Sequence, residues 1–390
     1  MISTQQRTQL ARLECAQCGA EYAPFHLQTY AFCCNQPLIA KYDTHFSFPK
    51  ELLKGRRTDM WRYAEMLPVL DEQNIVSLGE GMTPVLRLNN LAKKYALPDL
   101  YLKDEGLNPT GSFKSRGISM AISKAKEFGI TACIVPTAGN AGGALSAYCA
   151  AAGMKAVVVM PKHTPLAFQQ ECRLFGAELI LVEGLISDCA REVAKLKTEH
   201  DYFDLSTLKE PYRLEGKKTM GYEIAEQFNW QLPDVILYPT GGGTGLIGIW
   251  KAFLEMQELG WIKGKLPRMI AVQSENCKPV VEVWNGAIPH AKNYQGHPSL
   301  ANGLAVPNPF GMNSMLQVLH QSNGFAMAVS ETDIINGVHE IARHEGIFAA
   351  PEGGAVWKAL LQLTEHQVIA KDETILLLNT GAGYKYLENI

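Results

Sequence analysis

The chain is poor in charge: 19% of its 390 residues are Asp, Glu, Lys or Arg, and the net charge is -3. That leaves no basic footprint for nucleic acid. Apolar runs are strand-sized, and none has the length that spans a bilayer. The opening stretch, Met1-Ile-Ser-Thr-Gln-Gln-Arg7, lacks the basic-then-apolar layout of a secretory leader. The cysteine count is odd, at nine, and Cys133, Cys149, Cys172 and Cys189 sit in apolar surroundings. A disulfide framework is therefore not expected, and a reducing cytoplasm is. Repeats of solenoid period and low-complexity tracts are absent. So is a Gly-Lys-Ser/Thr phosphate loop, and so is a dinucleotide fingerprint with an acidic residue after the following strand. What remains is a globular protein for which neither a nucleic-acid nor a membrane partner is expected.

At 390 residues the chain exceeds one ordinary core. Short, β-branched, unalternating strands recur between helical runs. Examples are Ala132–Pro136 before a helix from Ala144 to Ala152, and Ala156–Met160 before one from Pro165 to Phe175. That alternation predicts parallel sheets covered by helices, an α/β fold. Residues 116–220 read as a small α/β domain. Residues 46–115 together with 221–390 read as a larger one, with a helix from Lys218 to Phe228 and an irregular, Asn/Pro/Gly-rich excursion over 285–311. Residues 1–45 form a separate ribbon-like unit. Within it Cys15 and Cys18 make a C-x2-C knuckle, and Cys33 and Cys34 supply a second pair. Four thiolates complete a tetrahedral zinc shell. Adjacent side chains diverge in an extended chain, so zinc and a metal-free ribbon are both open.

Four stretches carry chemistry. Leu102–Gly117 leaves a strand, breaks at Asn108-Pro109, turns through Thr110-Gly111-Ser112 and enters a helix over 115–128, with Ser112 as its natural cap. Lys114 then lies at a helix start, where the dipole and burial both disfavour an ammonium and favour a Schiff-base-forming amine. A solvated surface lysine is the bland alternative. Thr240-Gly241-Gly242-Gly243-Thr244-Gly245 joins a strand to a helix, as either a phosphate cup or an ordinary tight turn. A reactive lysine together with a phosphate cup meets the needs of pyridoxal 5'-phosphate. Thr137-Ala-Gly139-Asn140 also precedes a helix and offers N–H groups to a carboxylate. Thr380 follows the last strand, where its hydroxyl can face a pyridine nitrogen.

Asn108-Pro-Thr-Gly-Ser-Phe-Lys-Ser-Arg-Gly117 resembles the lysine motif of the tryptophan-synthase-like, fold type II pyridoxal phosphate enzymes. The resemblance extends through the ribbon, Gly79-Glu-Gly-Met-Thr-Pro84, Arg213-Leu-Glu-Gly-Lys-Lys-Thr219, Pro239–Gly245, Val272–Cys277 and Thr380–Gly383. It implies two open parallel-sheet α/β domains closing on the cofactor, with a small zinc-ribbon-like unit in front, and a homodimer. Lys114 would hold the cofactor, Asn140 its ring oxygen, and Gly241, Gly242, Gly243, Thr244 and Gly245 its phosphate. Thr380 would face its ring nitrogen. Thr137 and Gly139 would take the substrate carboxylate, with Ser112, Lys103, Arg213 and Lys217 for a substrate phosphate. Within the family the chain is most similar to the branch that turns O-phosphohomoserine and water into threonine and phosphate. A serine/threonine dehydratase or cysteate synthase type of reaction is the alternative. Three departures stand out. Ser115 replaces the family's aspartate, Cys33-Cys34-Asn35-Gln36 replaces a spaced, glycine-flanked pair, and Ala382 replaces a frequent histidine.

Overall fold

The computed structural model describes residues 7–184, 186–388 and 390. The ribbon comes first. Its strands β1 (Leu10–Cys15), β2 (Glu21–Tyr22) and β3 (Leu38–Tyr42) form an antiparallel sheet in the order β2-β1-β3. After a stretch of 3-10 turns follow β4 (Val85–Arg87), α1 (Asn89–Tyr95), β5 (Leu100–Asp104), α2 (Lys114–Glu127), β6 (Ala132–Pro136), α3 (Asn140–Ala152), β7 (Lys155–Pro161) and α4 (Leu166–Leu174). Then come β8 (Glu178–Val182), α5 (Ile186–Glu199), β9 (Phe203–Asp204), α6 (Tyr212–Gln227), β10 (Val235–Pro239), α7 (Thr244–Glu258) and β11 (Arg268–Ser274). The chain finishes with α8 (Pro279–Trp284), α9 (Met312–Gln321), β12 (Phe325–Val329), α10 (Glu331–Glu345), α11 (Pro351–Glu365) and β13 (Ile375–Asn379).

The chain divides into two compact units, each assembled from separate stretches. Unit one takes the chain up to Met82, then Lys114–Tyr222 and Lys251–Lys263; unit two takes Thr83–Phe113, Glu223–Trp250 and the chain from Gly264 onward. Residues 46–82, expected with the larger domain, thus belong to unit one. The reason is aromatic burial: Trp61 and Tyr63 are buried there, and the Tyr63 ring lies 5.0 Å from that of Tyr222.

Unit one contains, besides the ribbon, a parallel sheet in the order β8-β7-β6-β9. Ile134, Val157 and Val159 pack with Cys189 and Val193 of α5. Unit two is built on a sheet in the order β12-β11-β10-β13-β5-β4, parallel except for β4 against β5. Every residue of β10 and β13 is buried, as expected of central strands covered on both faces. Register pairs Leu237 with Leu377 and Asn379 with Asp104. The loops that follow β10, β13 and β5 therefore leave three neighbouring parallel strands at the same end, where ligands bind in open α/β sheets.

Two helices begin earlier than their sequences suggest: α3 starts at Asn140 rather than 144, and α6 at Tyr212 rather than 218. Glycines at 142, 143 and 216 obscured both starts. Among the described residues no helix is long and apolar enough to cross a membrane.

Candidate active site

In unit two the stretch leading to Lys114 is pinned from below. Asp104 Oδ1 accepts from Gly106 N at 3.0 Å and from Asn379 Nδ2 at 2.8 Å. The buried Glu105 accepts from Thr83 Oγ1 at 2.6 Å and Asn108 Nδ2 at 2.8 Å. Thr110 has φ +55, a strained left-handed conformation for a β-branched residue, and Lys385 Nζ donates to its carbonyl at 2.7 Å. Phe113 N donates to Thr380 O at 3.1 Å, Ala382 N to Gly111 O at 2.9 Å, and Ser112 bridges to Gly381. The lysine loop and the Thr380 loop are thus one stitched structure. Ser112 is not the helix cap: α2 begins at Lys114, so the cap position falls on Phe113. Instead Ser112 Oγ is buried with no hydrogen-bond partner among the described residues.

The glycine loop follows β10. Its glycines are demanded by close neighbours: a Cβ at Gly241 would lie 2.1 Å from Gly303 O, and one at Gly245 would lie 1.7 Å from Tyr238 OH. Gly243, at φ +78, turns the chain into α7. Among the described residues, the N–H groups of Gly241, Gly242 and Gly243 have no backbone acceptor. With the helix start at Thr244 they are donors of the kind an anion takes. Lys103 is elsewhere engaged. Its buried ammonium donates to Thr83 O at 2.9 Å and Gln227 Oε1 at 3.0 Å, and pairs with Glu223 at 3.0 Å. That corrects its assignment to a substrate phosphate, since its charge is already neutralised inside unit two.

In unit one Lys114 opens α2, and Lys217 Nζ donates to its carbonyl at 3.0 Å. Sequence reasoning missed Glu80. Its buried carboxylate collects Trp61 Nε1 and Leu78 N at 2.9 Å, and Ser119 Oγ and Tyr148 OH at 2.5 Å. Ser115 hydrogen-bonds to Tyr148, and burial together with Glu80 keeps that phenol neutral. The first two turns of α2 are therefore braced by one carboxylate. The glutamate stood in the Gly79-Glu-Gly motif, but nothing local pointed to its partners.

Thr137 Oγ1 accepts from Gly139 N at 3.1 Å, closing the turn that sets Asn140 at the first position of α3. Arg213 is buried; its Nη1 donates to Leu205 O, while its Nε has no hydrogen-bond partner among the described residues. Beside it, Glu210 accepts from Tyr212 N at 2.7 Å. Burial pushes the Glu210 carboxyl up from 4.5 to about 7, although Arg213 and the two backbone donors pull it down. A folded-state value above the unfolded one means that this contribution to stability is fully present below pH 4.5 and is lost as pH rises through about 7. The wild type should lose on the order of 3 kcal/mol more unfolding free energy across that window than Glu210→Gln does, as measured by urea titration at each pH. Parallel pH profiles for the two proteins would refute the assignment.

The ribbon's Cys15, Cys18, Cys33 and Cys34 are brought together, with all four sulphurs within 4.8 Å of one another.

Taken separately, the parts suit a phosphate monoester bearing an aldehyde: unit one offers a primary amine at a helix start, and unit two a glycine loop whose N–H groups have no backbone acceptor among the described residues. With the parallel-sheet fold this defines a fold type II pyridoxal phosphate enzyme. The chain belongs to the pyridoxal-phosphate dependent enzyme family, whose pattern matches residues 76–381. Among characterised relatives it is 36% identical over 375 residues to the threonine synthase of Methanocaldococcus jannaschii, covering 95% of this chain and 92% of that protein. To the threonine synthase of Methanosarcina acetivorans it is 33% identical over 371 residues, covering 95% and 91%. Maize serine racemase shares the fold, with a TM-score of 0.66 at 19% identity over 78% of this chain and 92% of that one.

Proposed function

We infer that the chain converts O-phosphohomoserine and water into threonine and phosphate. The observation that carries this reading is identity of 36% to a threonine synthase along 95% of the chain, with the lysine loop intact. Pyridoxal phosphate, when bound, supplies an electron sink for charge developing at the substrate's α-carbon. Lys114 Nζ would hold the cofactor and, as a free amine, would take the α-proton. The N–H groups of 241–243, with Thr244 and Gly245, would hold the cofactor phosphate. Asn140 would hold its ring oxygen and Thr380 its ring nitrogen. Thr137 and Gly139 orient the substrate carboxylate. Lys217, Arg213 and Ser112 take the substrate phosphate, which leaves from Cγ before water adds at Cβ. Lys217 fits that role through its charge beside Lys114, and Ser112 Oγ and Arg213 Nε through having no hydrogen-bond partner among the described residues. The protein works as a cytoplasmic homodimer, which light scattering of the purified protein tests.

Purified protein supplied with O-phosphohomoserine should release phosphate and threonine in equal amounts. Cofactor absorbance without phosphate release would sink the reading. Formation of 2-oxoacid from serine or threonine would then move the assignment to a dehydratase.

A further inference from the structure

The ribbon carries chemistry that the proposed reaction does not use. Cys15 ends β1, and the chain turns at once: Gly19 N donates to Cys15 O at 3.0 Å, and Gly19 has φ +72. Cys18 lies inside that turn. Cys33 and Cys34 lie inside a second turn, whose flanking residues Ala31 and Gln36 exchange backbone hydrogen bonds of 2.8 and 3.3 Å. Adjacent side chains diverge only in extended chain. Here Asn35 sits at φ +50 and the segment curls, so two consecutive thiols face the same neighbours.

The result is a cluster of four free thiols. All four sulphurs fall within 4.8 Å of one another, and Cys18 Sγ lies 3.5 Å from Cys33 Sγ. Zinc–thiolate bonds of about 2.3 Å in a tetrahedron place sulphurs about 3.8 Å apart. The cluster therefore needs only small adjustments to close on a cation. The unit also has cause to need a cross-link. Its sheet has one strand of only two residues, and Phe25, Leu27 and Phe32 are exposed rather than buried as a core.

We infer that Cys15, Cys18, Cys33 and Cys34 bind one zinc ion as a closed tetrathiolate site that clamps the two turns of the ribbon. Each thiol gives up its proton to solvent on binding, and no open coordination position is left for catalysis. The site has a structural consequence within unit one. Strand β3 ends at Tyr42, whose ring covers the buried Lys218 ammonium at 3.8 Å and that of Lys251 at 4.8 Å. Those ammonium groups pair with Glu215 and Glu255 at 2.5 to 3.1 Å. The metal thus fixes the strand that lids a buried charge cluster.

The test is metal analysis of the intact, cofactor-loaded protein purified under reductant. About one zinc per chain is expected, falling below about a tenth in Cys18→Ser, Cys33→Ser and Cys34→Ser. Cofactor absorbance in each variant reports that the remainder is folded, and Cys277→Ser, at a buried cysteine outside the ribbon, should keep its zinc. Cobalt(II) loaded in place of zinc should give the intense visible bands of a tetrahedral thiolate site. Less than about a tenth of a zinc per chain after incubation with zinc salt overturns the inference. So does full zinc retention in Cys34→Ser, or stoichiometric iron in place of zinc. None of these readouts depends on which amino acid the enzyme consumes.

Discussion

Lys114→Ala should yield a folded protein whose turnover has fallen by about 10⁴-fold or more, because in the proposed mechanism one change removes both the cofactor's anchor and the α-proton's acceptor. The fold has little reason to suffer. Position 114 is the first residue of α2, and alanine is the best helix former. The carbonyl that accepts from Lys217 at 3.0 Å is backbone and survives the substitution. The Glu80 carboxylate that braces the next turns through Ser119 and Tyr148 is also untouched. Phosphate release from O-phosphohomoserine gives the rate, thermal unfolding gives the fold, and the cofactor's ~420 nm imine absorption should vanish. Lys114→Arg should fare no better: a guanidinium keeps the charge but is never deprotonated to a nucleophile. Turnover within tenfold of wild type in either variant, with the protein folded, would remove Lys114 from the mechanism.

The parts of this molecule that declare themselves locally were legible in its sequence. Ala132–Pro136 and Ala156–Met160 read as strands of a parallel sheet because they are largely buried, so each is apolar without alternation. The glycine loop was legible as a strand-to-helix turn because clustered glycines punctuate the chain between β10 and α7. Features that depend on distant partners were not. Glu80 meets Ser119 and Tyr148, and nothing near residue 80 announces either. Lys103 is a substrate-phosphate candidate by charge and position, yet its charge is matched by Glu223, far along the chain. The second cysteine pair looked awkward because adjacency was judged for a strand, while the bonds between Ala31 and Gln36 make it a turn. Strand β12 lies at the edge of its sheet, where half-burial blurs the apolar run that marked the central strands.

Gly216→Ala should destabilise the protein by about 2 kcal/mol or more and depress activity with it. Taken alone, α6 argues the opposite: alanine in a helix interior is about 1 kcal/mol better than glycine. The contact decides the sign. A Cβ at 216 would lie 2.1 Å from Arg116 O and 2.8 Å from Gly117 Cα, and a Cβ at 117 would lie 2.7 Å from Arg213 O. The obstacles are backbone atoms of α2, which have no rotamer to adopt, so α6 must move off by roughly an ångström. That displacement acts on the site as well as on stability, because Lys217, the next residue, donates to Lys114 O across the same contact. Urea unfolding should show a lower midpoint with an unchanged slope, and the kcat of the folded fraction should fall as the first turn of α2 loses its partner. A variant as stable as wild type would mean that the two helices have room to part, and that the glycine pair is not what holds α6 against α2.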